Sequence, residues 1–85
     1  MAQEKEVGRV THYFTKIGVA IVDLTEELKV GDTIHVKGHT SDFTQKVESI
    51  QIEHKQVEKA GKGTSIGLKV DEHAREGDVV YKVVE

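Results

Sequence analysis

A two-residue rhythm of apolar and polar side chains, repeated in short runs, constrains this chain more than any other feature. Thr33-Ile34-His35-Val36-Lys37 places Ile34 and Val36 on one face, and Ser65-Ile66-Gly67-Leu68-Lys69-Val70 does the same with Ile66, Leu68 and Val70. Successive side chains of a strand leave opposite faces, so this period marks strands buried on one side. Val7 to Phe14, Val19 to Leu24 and the valine-rich Val79 to Val84 read as further strands. From Phe43 to His54 the parity shifts: Phe43, Gln45 and Val47 share one face, whereas Ile50 and Ile52 fall on the other. One strand with a bulge or bend near Glu48-Ser49 is predicted there. Gln56 to Lys59 reads as a short strand or a turn, and only Glu26 to Val30 and Asp71 to Arg75 have room for a helical turn.

Glycines punctuate these runs at Gly18, Gly31, Gly38, Gly61, Gly63 and Gly77. Short strands separated by such turns at spacings of about ten residues predict a sandwich or barrel. The expected fold is all-β: a small closed six- to seven-stranded antiparallel β-barrel, since closure removes the unpaired edges that promote aggregation. With 85 residues the chain forms one domain, residues 1–85, of which 1–5 are expected to be a flexible tail. Gly67, flanked by Ile66 and Leu68, is read as a point of close backbone approach. In Leu28-Lys29-Val30-Gly31-Asp32 the apolar pair is expected to plug a barrel end while Gly31-Asp32 turns the chain. Gly77-Asp78 repeats that device.

Met1-Ala2-Gln3-Glu4-Lys5-Glu6 has no apolar leader core, and no apolar run approaches the roughly 20 residues needed to span a bilayer. A cytoplasmic protein without membrane contact is expected. Lys and Arg number 12 against 15 acids, a net charge of -3, which argues against non-specific nucleic-acid binding through the overall field. Two stretches nevertheless lack acids. Arg9-Val10-Thr11-His12-Tyr13-Phe14-Thr15-Lys16 joins two cations, a histidine and two aromatics; His35-Val36-Lys37-Gly38-His39-Thr40-Ser41 is the second. Cations hold phosphates and exposed aromatics stack on unpaired bases, so Arg9, His12, Tyr13, Lys16, Lys37 and His39 are the candidate contact residues. The competing structural reading puts Phe14, with Val10 or Tyr13, in the core, leaves Arg9 and Lys16 solvated, and keeps Phe43 in the core.

No catalytic pattern emerges. There is no cysteine, and Ser41, Ser49 and Ser65 lack a nucleophile elbow. His12, His35, His39, His54 and His73 are possible bases without an evident partner, and Glu26-Glu27 and Asp71-Glu72 fall in turns. His35 and His39 sit four apart on or beside a strand, about 13 Å along it, too far to share one metal ion. Gly61-Lys62-Gly63-Thr64 has the outline of a phosphate loop, but that motif needs glycine where Gln56 stands and Ser or Thr where Gly63 stands. The expectation is therefore a non-enzyme that uses no cofactor, metal or GTP.

Seven segments occur in an order and spacing that resembles domain 2 of the translation GTPases, the barrel of elongation and initiation factors. They are Gly8-Arg9-Val10, Ile17-Gly18-Val19-Ala20, Leu28 to Ile34, Lys46 to Ile50, Val57 to Gly61, Ile66-Gly67-Leu68 and Arg75 to Val80. The resemblance implies a stand-alone, non-catalytic binding module associated with translation, contacting ribosomal RNA, tRNA or a translation protein. Similar barrels also occur as accessory domains of other proteins, including collagenase-like peptidases, so the barrel by itself does not assign a task. The alternative expectation is a protein–protein adaptor unrelated to RNA; a homodimer is compatible with either.

Overall fold

The computed structural model describes residues 3–39, 41–53 and 55–84. Ten strands follow in order: β1 (Gln3–Phe14), β2 (Val19–Leu24), β3 (Leu28–Lys29), β4 (Thr33–Lys37), β5 (Asp42–Lys46), β6 (Ile50–Ile52), β7 (Lys55–Val57), β8 (Lys59–Ala60), β9 (Ser65–Lys69) and β10 (Val79–Val84). Eight form one sheet in the order β5-β4-β10-β1-β2-β9-β6-β7, and β3 and β8 form a separate two-stranded ribbon. All pairings are antiparallel. The all-β expectation holds. Among the described residues neither Glu26 to Val30 nor Asp71 to Arg75 is helical. Gln3 to Lys5, expected in a flexible tail, instead extend β1 and pair with Lys82 to Val84.

The expected closure does not occur. β5 and β7 are the two edges of the sheet, and among the described residues no ladder joins them. The sheet curls until side-chain bonds tie β5 to the end of β9. The inward side-chain amide of Gln45 on β5 donates to the Lys69 carbonyl at 3.0 Å, and its oxygen accepts the Asp71 N–H at 2.7 Å. Nearby, Gly31 donates to the Val47 carbonyl, Val47 to that of Asp32, and Val30 to that of Glu58. A buried amide thus bridges β5 and the end of β9, satisfying polar groups that burial would otherwise strand.

The parity shift after Phe43 has a different cause from the predicted bulge. The strand ends at Lys46, residues 47–49 cross to the opposite end of the sheet, and a new strand starts at Ile50. β5 pairs with β4, whereas β6 pairs with β7 and β9. The bulges lie in β1 instead, at Val7 against β10 and at Thr11 against β2. The first accounts for Val7 and Val10 both facing the core although three positions apart, which strict alternation forbids.

The core is aliphatic: Ile34, Val36, Ile50, Ile66, Leu68, Val22 and Val80 are sealed from solvent, with Phe43 among them. Leu28 on the ribbon and Ala74 in the β9–β10 connection are buried too, whereas Val30, expected to share the plug with Leu28, is exposed. Two turns share one design. In Lys29-Val30-Gly31-Asp32 and in Arg75-Glu76-Gly77-Asp78, the aspartate carboxylate accepts the first residue's N–H, at 3.0 and 2.9 Å. The third position is glycine at φ 98° and 90°, the left-handed backbone such a turn requires.

Gly8 is the close-packed glycine, paired to β10 and β2 at once. A Cβ there meets Val22 Cγ1 at 2.7 Å and the Asp23 carbonyl oxygen at 2.8 Å. Backbone cannot rotate away as a side-chain tip does. Gly8→Ala is expected to lower the unfolding free energy by about 1–3 kcal/mol, with equilibrium denaturation as the check.

Candidate functional site

Among the described residues the tip of the β1–β2 hairpin is the most exposed apolar feature. Phe14 pairs with Val19, and the loop between them is Thr15-Lys16-Ile17-Gly18. The Gly18 N–H donates to the Phe14 carbonyl at 2.9 Å, with Gly18 at φ 66°. That closure asks only for glycine at its last position. Ile17 is nevertheless 63% exposed and Phe14 43% exposed, so apolar surface stands in water where the turn has no use for it.

Below the tip, the outward face of the sheet forms a groove. Gln51, Gly67, Ile21 and His12 lie in register across β6, β9, β2 and β1. Gly67 contributes no side chain, so the row has a bare floor there. The groove measures about 270 Å³, walled by Phe14, Ile17, Val19 and Ile21 on one side and Gln51 and Glu53 on the other. A second hollow of about 300 Å³ lies against Tyr13, Phe14, Thr15, Lys16 and Ile17. Phe14 and Ile17 therefore make a ridge between two depressions. The expectation that Gly67 permits close backbone approach is corrected: a Cβ there meets Val19 Cγ1 at 3.4 Å and Gln51 at 3.8 Å, which is ordinary contact.

The six sequence-selected residues are spread over this end and the adjoining outer face. Tyr13 packs partly against the core, its ring 4.5 Å from that of His73, and Lys16 is exposed at the tip. Arg9 and Lys37 flank Val79 in one row across β1, β10 and β4. The next residues outward in that row are Asp23 beside Arg9 and Asp42 beside Lys37. His12 meets Glu76, 3.2 Å away. His39 is exposed after β4. Stretches free of acids along the chain thus acquire acidic neighbours from other strands. Of the other proposed participants, Thr40 and His54 lie outside the described residues. Phe14, assigned to the core in the structural reading, is half exposed, its ring edge-on to His12 at 4.5 Å between centroids. Ile17, Gln51 and Glu53 were not selected from the sequence. An isoleucine inside a Lys-x-Gly turn was the available signal.

His35 holds a separate cluster. Its side chain is 16% exposed, with Nδ1 2.8 Å from Glu4 Oε2 on β1 and Nε2 bonded to the Asp42 carboxylate on β5. The Asp42 bond is the main force holding its pKa above the ordinary 6.5; burial opposes this and Glu4 adds to it. The same bond lowers Asp42 below its usual 3.8. The two ring nitrogens address different carboxylates, so the three do not converge on one point. Among the described residues no group of three or more His, Cys, Asp or Glu is arranged to hold a metal ion.

The same fold occurs in a small C-terminal domain whose structure has been solved. Two solved structures of the C-terminal domain of a Geobacillus thermoleovorans protein assigned to the U32 peptidases superpose with TM-scores of 0.85 and 0.86 at 23% identity. They cover 89% and 92% of this chain, and 96% and 91% of theirs. Among curated proteins, an uncharacterized protease of Methanocaldococcus jannaschii is 44% identical over 81 residues, and a collagenase of Porphyromonas gingivalis is 40% identical over 82. Each match takes in 94% of this chain but only 20% and 23% of those proteins, so the chain spans about a fifth of their length. No protein-family model matches the chain. These relatives overturn the translation-factor resemblance, and with it the reading as a translation module partnered by ribosomal RNA, tRNA or a translation protein. The non-enzyme expectation falls to the same finding, since the named relatives are proteases.

The His35 cluster has a pH signature. With its folded pKa raised, His35 contributes stability that is complete below about 6.5 and is lost as pH rises through the folded value. Asp42, with its pKa lowered, contributes above 3.8 and loses its share as pH falls through the folded value. Relative to His35→Gln, the wild type is expected to be more stable at pH 6 than at pH 9, by less than about 1 kcal/mol because both carboxylates are well solvated. Urea denaturation of both proteins at the two pH values measures the difference.

Proposed function

We propose that this chain serves proteolysis as a domain that accompanies a peptidase and touches polypeptide through the hairpin end of its sheet. The observation that carries the reading is the match itself: nearly the whole chain aligns, at 40–44% identity, with about a fifth of a protease and of a collagenase. Identity at that level across a whole domain supports shared use as well as shared shape. The geometry supplies a means. An apolar ridge beside a shallow groove suits contact with another protein chain, whereas small-molecule sites are usually deeper, about 300–1,000 Å³, and enclose the ligand. Nothing in this role depends on cations gathered for phosphates, and the row in which Arg9 and Lys37 alternate with aspartates is consistent with that.

The test is a graft. The 85-residue chain replaces the matching stretch of the Porphyromonas gingivalis collagenase, and collagen cleavage is compared with that of the parent enzyme and of a version lacking the stretch. The graft is expected to restore cleavage that the deletion loses. A correctly folded graft no better than the deletion, or a deletion with full activity, overturns the proposal.

A further inference from the structure

We propose that the Phe14–Ile17 ridge and the Gly67-floored groove bind an extended polypeptide segment in which apolar side chains alternate with lysine or arginine. This rests on the protease-associated reading for its biological setting, though not for its test.

The apolar half of the requirement comes from the walls. Phe14, Ile17, Val19 and Ile21 line one side, and the first two are among the few large apolar residues the molecule exposes. Burying such a side chain is worth about 1.5–3 kcal/mol, and the hairpin gives no structural return for leaving Ile17 in water. The third exposed large hydrophobic, Val30, lies in the Lys29–Asp32 turn beyond the far end of β2, so the patch at the tip stands alone.

The extended shape comes from the floor. The row Gln51-Gly67-Ile21 loses its middle side chain, which leaves a strip one residue wide across three strands. At about 270 Å³ the space takes a few side chains of a chain lying along the surface, not a folded element or a cofactor. Gln51 and Ser65 at the rim offer a side-chain amide and a hydroxyl to a passing backbone, the hydroxyl already donating to Asp23.

The basic component comes from charge. Among the described residues Glu53 is the one charged side chain lining the groove, Lys16 lining the hollow on the other side of the ridge, and Glu53 sits in the tight β6–β7 turn at φ 51°, a backbone position that few residues other than glycine adopt. The chain as a whole carries a net charge of -3. A segment with a cation beside its apolar anchor complements both, and an acidic segment is repelled by both.

The experiment titrates the 15N-labelled chain with two synthetic hexapeptides, one alternating leucine with lysine and one alternating leucine with glutamate, while amide shifts are followed. The leucine–lysine peptide is expected to move the amides of Phe14, Ile17, Ile21, Gln51 and Gly67 and to bind about tenfold more tightly than its acidic counterpart. Glu53→Gln is expected to erase most of that preference. Ile17→Ser is expected to weaken binding about fivefold or more, and Gly67→Val to block it, both with the melting temperature little changed because Ile17 is exposed and a Cβ at Gly67 meets only ordinary contacts. Shifts centred elsewhere, equal affinity for the two peptides, or full binding by Ile17→Ser and Gly67→Val overturn the inference. Failure here with a working graft leaves the protease-associated role intact and removes only this site. Peptide binding with a failed graft does the reverse.

Discussion

β1 carries the sheet because it is hydrogen-bonded along both edges, to β10 from Gln3 to Arg9 and to β2 from Gly8 to Phe14. A regular twelve-residue strand in that place would be too straight to curl the sheet around a small core. The two bulges, at Val7 and Thr11, add local twist and reset which side chains face inward. They send Val7 and Val10 into the core and leave Glu6, Arg9 and His12 outside. Gly8 sits between the bulges where the strands on both sides leave no room for a Cβ. The hairpin tip projects from this same strand, so the spine that organises the core also aims the exposed ridge.

The curled sheet stays open between β5 and β7, and one side chain instead ties β5 to the end of β9. Gln45 faces inward with Phe43 and Val47, as the alternation of that segment requires. An amide buried there must find partners, and it finds the Lys69 carbonyl and the Asp71 N–H at the end of β9. The twin Gly-Asp turns serve the ends of the structure in a related way, each aspartate fixing a backbone N–H three residues earlier. Asp32 is further tied to Lys82 at 3.3 Å, joining the start of β4 to β10.

The pattern of charge shows why the translation-factor comparison misled. The features behind it, Gly-Asp turns at strand starts and glycine within an alternating strand, answer needs common to curled β-modules of this size. They report how such a sheet is built, not what it binds. The acid-free stretches were real in the linear sequence, but antiparallel pairing places Asp23 beside Arg9 and Asp42 beside Lys37, and the β9–β10 connection brings Glu76 to His12. An electrostatic patch is a property of the surface, and the surface is assembled from strands far apart in the chain.

By itself the sequence determined the all-β class, most strand positions and nearly the whole core, because a strand buried on one face writes its orientation into every second residue. It also determined the Gly-Asp turns, whose chemistry is complete within four residues. The tertiary structure alone decided that the sheet stays open, that the parity change after Val47 is a crossing from one end of the sheet to the other, and that β1 holds the bulges. Each of these depends on which strands become neighbours, and alternation says only which way a side chain points. The ridge and groove belong to the same category. Ile17 and Glu53 come from two turns and Gln51, Gly67 and Ile21 from three strands, and no spacing along the chain records that those strands lie side by side.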